Sequence, residues 1–174
     1  GWRHPVSALE QDRGGLYWIG TEGGGLIRFH PESKMLTEFR HDPVRLESLS
    51  HDSVTAIHRD SGGTACIGPD TGLNWPDSKT GEIQRVFDHR LDKRSITQIV
   101  ETDGELWIAT RGSGLFWLSG GSEWVRVWSE RIEITALEAD EDAIWVGTLG
   151  SGVIRFDRQA HVTERFSKES GLSG

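Results

Sequence analysis

Short apolar stretches alternate with polar turns along the whole chain, and no stretch keeps a helical apolar period for three turns. The segments 54–59 and 96–101 are typical, because each is rich in β-branched residues and is followed by a turn containing aspartate and glycine. Runs of this kind indicate β-strands, whereas a helix needs apolar residues every three to four positions. The pattern therefore predicts an all-β chain with essentially no helix.

One short segment recurs four times, as YWIGT, ACIGP, LWIAT and IWVGT. The second residue of each copy anchors the repeat, at Trp18, Cys66, Trp107 and Trp145. Each anchor is followed 21 residues later by an aromatic residue, at Phe39, Phe87, Trp128 and Phe166. Each is preceded by a β-branched residue, at Val6, Val54, Ile96 and Ile134. The constant offset indicates four copies of one structural unit.

Each unit contains four short strands, separated by an Asp-containing turn, a central Gly-rich bend and a polar turn. About 40 residues and four antiparallel strands per repeat are typical of a propeller blade. The predicted fold is therefore a β-propeller with four blades in one domain over residues 1–174, at 5–41, 52–90, 95–130 and 133–168. The four anchors and the four late aromatics are predicted to be buried core. The fourth copy lacks the glycine of the D-x-x-G turn, so its turn should differ.

Two of the copies, LYWIGTEGGGLIRF at 16–29 and AIWVGTLGSGVIRF at 143–156, resemble the two-component regulator propeller repeat. The linker at 41–50 resembles the inter-blade loop of that family, and the resemblance covers all four copies. Cys66 in place of Trp, Pro69 in place of Thr and Ala109 in place of Gly depart from the pattern. The resemblance implies an extracytoplasmic, periplasmic sensor domain of a bacterial hybrid histidine kinase or diguanylate cyclase, many of which detect glycans.

Charge and cysteine content narrow the classes of partner. With 19 basic and 27 acidic side chains the net charge is −8, and an acidic chain repels the phosphates of nucleic acids. The lone Cys66 excludes an internal disulfide framework and a multi-cysteine zinc site, and no apolar run is long enough to span a membrane. The start at Gly1, without Met or a leader, predicts a processed or trimmed end.

Candidate binding residues lie in the inter-blade loops and central bends, which gather on one face of a propeller. Loops on a rigid scaffold are the usual location of binding function. The polar candidates are Glu22, His41, Arg45, His89, Arg90 and Arg111. Two aromatics, Trp75 and Trp117, stand where the other copies have arginine and could stack on sugar rings. The alternative for the polar residues is that they are solvated loop residues, and the alternative for the two tryptophans is that they fill space between blades.

No catalytic residue, metal ligand or cofactor is predicted. The histidines form no H-x-x-x-H or H-E-x-x-H pattern, the Gly-rich bends lack the Lys-Ser/Thr of a phosphate loop, and Cys66 has no recognisable base. Glu22 and Asp70 are carboxylates in turns that do not recur as a pair. The resemblance implies a non-catalytic sensor or ligand-binding module, and a protein-interaction scaffold is the alternative. A propeller glycan lyase or hydrolase is the third alternative.

The repeat pattern also bears on assembly. Four whole blades left open would expose two apolar blade faces, more than a monomer in solution normally tolerates. A homodimer that forms one eight-bladed ring by head-to-tail contact is the preferred prediction. A closed four-bladed monomer and an open fragment of a larger propeller are the alternatives.

Overall fold

The computed structural model describes residues 3–77, 80–119, 123–128 and 133–167. None of these residues lies in a helix, and the sixteen strands form four separate antiparallel sheets of four strands each. This confirms the all-β prediction and the four four-stranded blades. The chain divides into two compact units, 1–99 and 100–174, with the boundary inside the first strand of the third blade.

Consecutive strands pair within every blade, so each sheet is a simple meander. Blade one contains β1 (Val6–Gln11), β2 (Tyr17–Thr21), β3 (Leu26–His30) and β4 (Met35–Phe39). Blade two contains β5 (Val54–Arg59), β6 (Ala65–Pro69), β7 (Leu73–Pro76) and β8 (Ile83–Val86). Blade three contains β9 (Ile96–Thr102), β10 (Glu105–Thr110), β11 (Gly114–Ser119) and β12 (Glu123–Trp128). Blade four contains β13 (Ile134–Ala139), β14 (Ala143–Thr148), β15 (Gly152–Asp157) and β16 (Val162–Phe166).

Each blade has two apolar faces, because the side chains of a strand alternate between them. The back face is defined here as the one that carries the anchor residue, such as Trp18 of blade one. The front face carries the residue after the anchor, such as Ile19. In the first unit Trp18 and Leu26, from the back face of blade one, share a core with the front-face residues Val54 and Ile67 of blade two. In the second unit the same faces of blades three and four form the other core.

The glycine of the W-I-G-T motif is explained by this packing. A Cβ added at Gly20 would lie 2.8 Å from Cγ1 of Val54, the first residue of the next blade. A Cβ at Gly68 would lie 2.6 Å from Cγ2 of Ile96, which begins β9. Real Cβ contacts are almost never this short, so the first strand of one blade approaches the motif of the previous blade closely enough to require glycine.

The prediction that Phe87 is core is wrong. Its side chain is 68% exposed, and β8 ends one residue earlier, at Val86. Val86 pairs with Leu73 just as Phe39 pairs with Leu26 in blade one. The central bend of blade two is one residue shorter than the bends of the other blades, so the closing position follows the anchor after 20 residues instead of 21. The aromatic therefore falls one residue beyond the core.

The other predicted core residues divide into two groups. Trp18, Cys66, Trp107 and Trp128 are buried, whereas Phe39, Trp145 and Phe166 are only half-buried. Trp145 and Phe166 stack on each other, with ring centroids 5.9 Å apart, on the back face of blade four. In blade one, Trp18 and Phe39 stack in the same way. The stack is thus a property of the back face, and its burial differs between the blades.

Candidate functional site

Two inter-blade loops of the first unit, 40–53 and 87–95, rest against central bends. The Gly25 N–H donates to the carbonyl of Asp52 over 2.7 Å, and the Asp70 N–H donates to that of Ser53 over 2.8 Å. The next loop repeats the arrangement, because the Gly72 N–H donates to the carbonyl of Arg94 over 3.2 Å. Loops and bends therefore form a joined surface in this unit, called here the loop face (residues 22–25, 40–53, 69–72 and 87–95).

The 40–53 loop is organised around Arg85, a residue that the sequence analysis did not single out. Its guanidinium donates from Nε to the carbonyl of Ser48 (2.9 Å) and from Nη2 to the carbonyls of Asp42 (2.7 Å) and Arg45 (3.0 Å). Arg85 lies on β8, so a strand of blade two holds the loop that leads into the blade. A guanidinium is suited to this role because it presents several donors in a fixed plane.

A second contact places the middle of the loop on blade two. The buried Asn74 of β7 accepts the Ser50 N–H at Oδ1 (2.9 Å) and donates from Nδ2 to the Ser50 hydroxyl (2.7 Å). Between Ser48 and Ser50, the Leu49 side chain is completely buried and belongs to the core of the first unit. The segment 48–50 thus packs on blade two by one apolar side chain and a set of backbone hydrogen bonds.

His41 and Arg45 lie in the same loop but differ in their surroundings. The His41 N–H donates to Oδ1 of Asp52 (2.7 Å), and His41 Nδ1 lies 2.8 Å from the carbonyl of Leu49. His41 therefore fixes the conformation of the loop. Arg45 is exposed, and its guanidinium lies 3.6 Å from a carboxylate oxygen of Glu82.

The remaining candidates of the first unit are spread over several segments. His89 is exposed and Arg90 half-buried in the 87–95 loop, where the Arg90 N–H donates to Oδ1 of Asp88 over 2.8 Å. Glu22 is exposed in the bend of blade one, and Trp75 is half-buried on β7. The structure brings His41 and Arg45 together in one loop.

Arg111 and Trp117 belong to the second unit. Arg111 is exposed in the bend of blade three. The Trp117 ring stacks on Trp107 with centroids 5.7 Å apart, and its indole N–H donates to Oε2 of Glu105 (2.8 Å). In blade four, the guanidinium of Arg155 lies 5.7 Å from the ring of Trp145. In blades three and four this position therefore carries a planar group that stacks on the anchor tryptophan.

The Asp-containing turns position the anchor tryptophans. Asp12 accepts the indole N–H of Trp18 at Oδ2 (2.9 Å), and Asp140 accepts that of Trp145 (2.6 Å). The hydrogen bond from Trp145 is the main cause that lowers the pKa of Asp140 below its ordinary value. The Trp107 indole N–H is buried and has no hydrogen-bond partner among the described residues. These aspartates thus have a structural role.

No site for a metal emerges from the part of the chain that the structure describes, where no three His, Cys, Asp or Glu side chains are grouped to hold an ion. Cys66 is fully buried, so its thiol is not accessible to a substrate. Of the two turn carboxylates, Asp70 accepts a hydrogen bond from the Ser95 hydroxyl (2.7 Å). Within the described ranges, no helix is long and apolar enough to cross a membrane.

A cleft of about 480 Å³ opens on the front face of blade one. Its walls combine apolar residues with a charged rim, and the lining residues are Arg3, His4, Thr21, Gly24, Ile27, Leu36, Glu38 and Arg40. Arg40 and Glu38 form an exposed ion pair across part of this rim, at 3.8 Å. The cleft could not be predicted from the sequence, because it forms only where the front face of a blade is not covered by its neighbour.

No family model matches the chain. A curated histidine kinase of Formosa agariphila, Histidine kinase P4, is 32% identical over 69 residues, which is 40% of this chain and 5% of that protein. The chain is therefore similar to a small part of a much longer signalling protein.

Solved structures with similar folds include propellers and sensor domains. The chain matches virginiamycin B lyase of Staphylococcus aureus with a TM-score of 0.72 and 13% identity, over 91% of this chain and 54% of the lyase. It matches the extracellular domain of BT4673 of B. thetaiotaomicron, assigned as a hybrid two-component system, with a TM-score of 0.52 and 18% identity, over 97% of this chain and 32% of that one. These likenesses, at 13% and 18% identity, confirm the propeller fold.

Proposed function

We propose that the chain is a ligand-sensing propeller module of an extracytoplasmic bacterial signalling protein, and that it is not itself catalytic. The observation that carries the proposal is the loop face, where two inter-blade loops are hydrogen-bonded to central bends in one unit. A rigid scaffold that presents loops in this way is suited to binding. The partial similarity to a histidine kinase supports the signalling context.

A carbohydrate is the class of ligand that we propose. Glu22, Arg45 and His89 present exposed polar side chains on loops and bends of the first unit, and such groups can hydrogen-bond sugar hydroxyls. The lyase likeness, at 13% identity, concerns the fold alone and does not extend lyase chemistry to this chain.

The proposal is tested by a thermal-shift screen against poly- and oligosaccharides. We expect a saturable rise in melting temperature with at least one sugar. An Arg45→Ala/His89→Ala variant should weaken that binding by about tenfold, the loss expected when hydrogen bonds to charged groups are removed. Arg59→Ala is the matched control, because Arg59 is an exposed arginine at the opposite end of β5 from the 40–53 loop. Equal loss in the control would contradict a site on the loop face.

A protein-interaction scaffold is the second candidate, and a specific observation favours it. Val44, Leu46 and Phe87 are large apolar side chains exposed on the two inter-blade loops of the first unit. Large apolar side chains that are exposed on a surface are candidate contacts for a protein partner. If no saccharide shifts the melting temperature and a Val44→Ser/Phe87→Ser variant abolishes retention of a co-purifying protein, the scaffold replaces the sensor.

We also propose that copies of the chain associate blade to blade, as a homodimer. Each unit has an internal interface between the back face of one blade and the front face of the next. Val6 and Leu36 on the front face of blade one, which are 54% and 53% exposed, could repeat this contact between copies.

A further inference from the structure

Phe87 is the one exposed aromatic residue in the part of the chain that the structure describes. It is 68% exposed, whereas every other described tryptophan, tyrosine and phenylalanine is buried or half-buried. Aromatic side chains contribute much of the burial energy of a protein, and a ring left in water forgoes that contribution. The position of Phe87 is therefore not explained by the packing of blade two.

The backbone on both sides of Phe87 is fixed. The preceding residue, Val86, pairs with Leu73 in the sheet of blade two. On the other side, the Leu91 N–H donates to the carbonyl of Asp88 over 2.8 Å, and the Leu91 side chain is completely buried. The ring is thus carried between a paired strand and a hydrogen-bonded turn. An aromatic ring on such a backbone loses little conformational freedom when a ligand covers it.

Hydrogen-bonding groups flank the ring along the chain. The side chain of His89, two residues after Phe87, is 84% exposed. Arg85, two residues before Phe87, donates to the carbonyl of Arg45 over 3.0 Å, and the Arg45 side chain is exposed. Arg85 therefore connects the segment that carries the ring to the 40–53 loop. Ligand sites combine aromatic surface with a few polar groups in this way.

A sugar ring matches this combination of groups. One face of a pyranose presents C–H groups, which pack on the electron-rich face of an aromatic ring, while its hydroxyls hydrogen-bond to polar groups at the edge. The loop face carries more acidic than basic side chains, and the net charge of the chain is −8. Like charges disfavour an anionic sugar such as a uronate on this surface. The surface therefore favours a neutral pyranose.

We propose that Phe87 is the stacking platform for a neutral pyranose unit of a saccharide bound on the loop face. This inference rests on the carbohydrate binding proposed above, and it adds the residue that contacts the apolar face of the sugar and the charge class of that sugar. Phe87 takes the role that the sequence analysis considered for Trp75 and Trp117, both of which are half-buried.

Isothermal titration calorimetry with defined oligosaccharides tests the proposal. The neutral probes are cellohexaose, mannohexaose, galactohexaose and xylohexaose, and the anionic probe is hexagalacturonate. We expect at least one neutral probe to bind. Phe87→Ala should weaken that binding about tenfold, whereas Phe87→Trp should retain it, because it keeps an aromatic face. Met35→Ala is the matched control, since Met35 is 66% exposed at the start of β4, outside the loop face.

Proton NMR of the bound sugar separates stacking from a general apolar contact. Protons that lie over an aromatic ring are shifted upfield by its ring current. We expect upfield shifts for the C–H protons of one sugar face with the native chain at saturation. Phe87→Leu keeps an apolar side chain and removes the ring, so these shifts should disappear in that variant.

Several results would overturn the proposal. A neutral probe that binds the native chain and Phe87→Ala equally overturns the stacking role and leaves the carbohydrate function standing. Equal losses in Phe87→Ala and Met35→Ala, or binding of hexagalacturonate alone, have the same consequence. If no probe binds, the proposal is overturned, and the wider saccharide screen described above decides separately on the carbohydrate function.

Discussion

Blades one and two have the same architecture and differ in what covers their front faces. Their strands pair in corresponding registers, with Val6 opposite Thr21 in one blade and Val54 opposite Pro69 in the other. Val54 is nevertheless completely buried, and Val6 is largely exposed. The apolar residue at this position is thus a property of the repeat, whereas its burial depends on the neighbouring blade. An exposed face in a repeat protein is consequently a candidate interface.

The largest expected difference in the free energy of unfolding is between variants of a buried and of an exposed aromatic residue. Trp107→Ala should lower the free energy of unfolding by about 3–5 kcal/mol, because it leaves a large cavity in the core of the second unit. Phe87→Ala should change it by less than about 0.5 kcal/mol, because the ring is exposed. Urea unfolding of both variants measures the difference. Similar losses would mean that Phe87 is a core residue after all.

The next prediction compares equivalent positions on the front faces of blades one and two. Ile83→Ala should cost about 2–5 kcal/mol, since Ile83 is buried in the core between blades. Leu36→Ala at the equivalent position should cost under about 0.5 kcal/mol when copies are dissociated. Unfolding must therefore be followed at low protein concentration. A large loss in Leu36→Ala under those conditions would show that the front face of blade one is already covered.

A smaller effect concerns the residue that holds the 40–53 loop. Arg85→Met keeps much of the apolar stem and removes the donors to three loop carbonyls, which should cost about 1–3 kcal/mol. Glu38→Met at the equivalent position of blade one removes only an exposed ion pair and should be nearly neutral. Hydrogen exchange should show faster exchange of the His41 and Asp42 amides in Arg85→Met alone. Unchanged exchange would contradict the role assigned to Arg85.

The four blades and their strands could be predicted from the sequence because the same pattern of residues recurs four times. The prediction failed at Phe87, because the bend of blade two is shorter by one residue and moves the closing position one residue earlier. Counting from Gly72 instead of Cys66 would have placed Val86 correctly, since the deletion lies between them. The half-burial of Trp145 and Phe166 was not predictable, because no residue within blade four encodes which neighbour covers it.

The candidate site was less predictable than the fold. The loop residues were found from their position, but their roles depend on hydrogen bonds to backbone carbonyls, which carry no sequence signature. Arg85 is the clearest example, because three of its acceptors are carbonyl groups. A charged residue precedes the closing residue in blades one, two and four, at Glu38, Arg85 and Arg165. This recurrence marks the position but not the loop carbonyls that Arg85 contacts.

The smallest effect concerns Asp140, whose pKa the indole N–H of Trp145 holds below the ordinary value of 3.8. Because the folded-state pKa is the lower one, the stabilisation is complete above pH 3.8 and is lost as the pH falls further, through the lowered pKa. Asp140→Asn should remove this contribution and flatten the acid decline of the melting temperature. Glu141→Gln, which removes an exposed carboxylate of the same turn, is the control. Equal flattening in both variants would contradict a specific Asp140–Trp145 effect.

Thiol labelling at equivalent positions of blades one and two tests most directly whether their front faces are equivalent surfaces, one covered and the other exposed. The native Cys66 is buried and gives little background. We expect Leu36→Cys to react rapidly at nanomolar concentration and to become protected at concentrations where copies associate. Ile83→Cys should be protected throughout. A Leu36→Cys thiol that reacts at the same rate at every concentration would contradict the account.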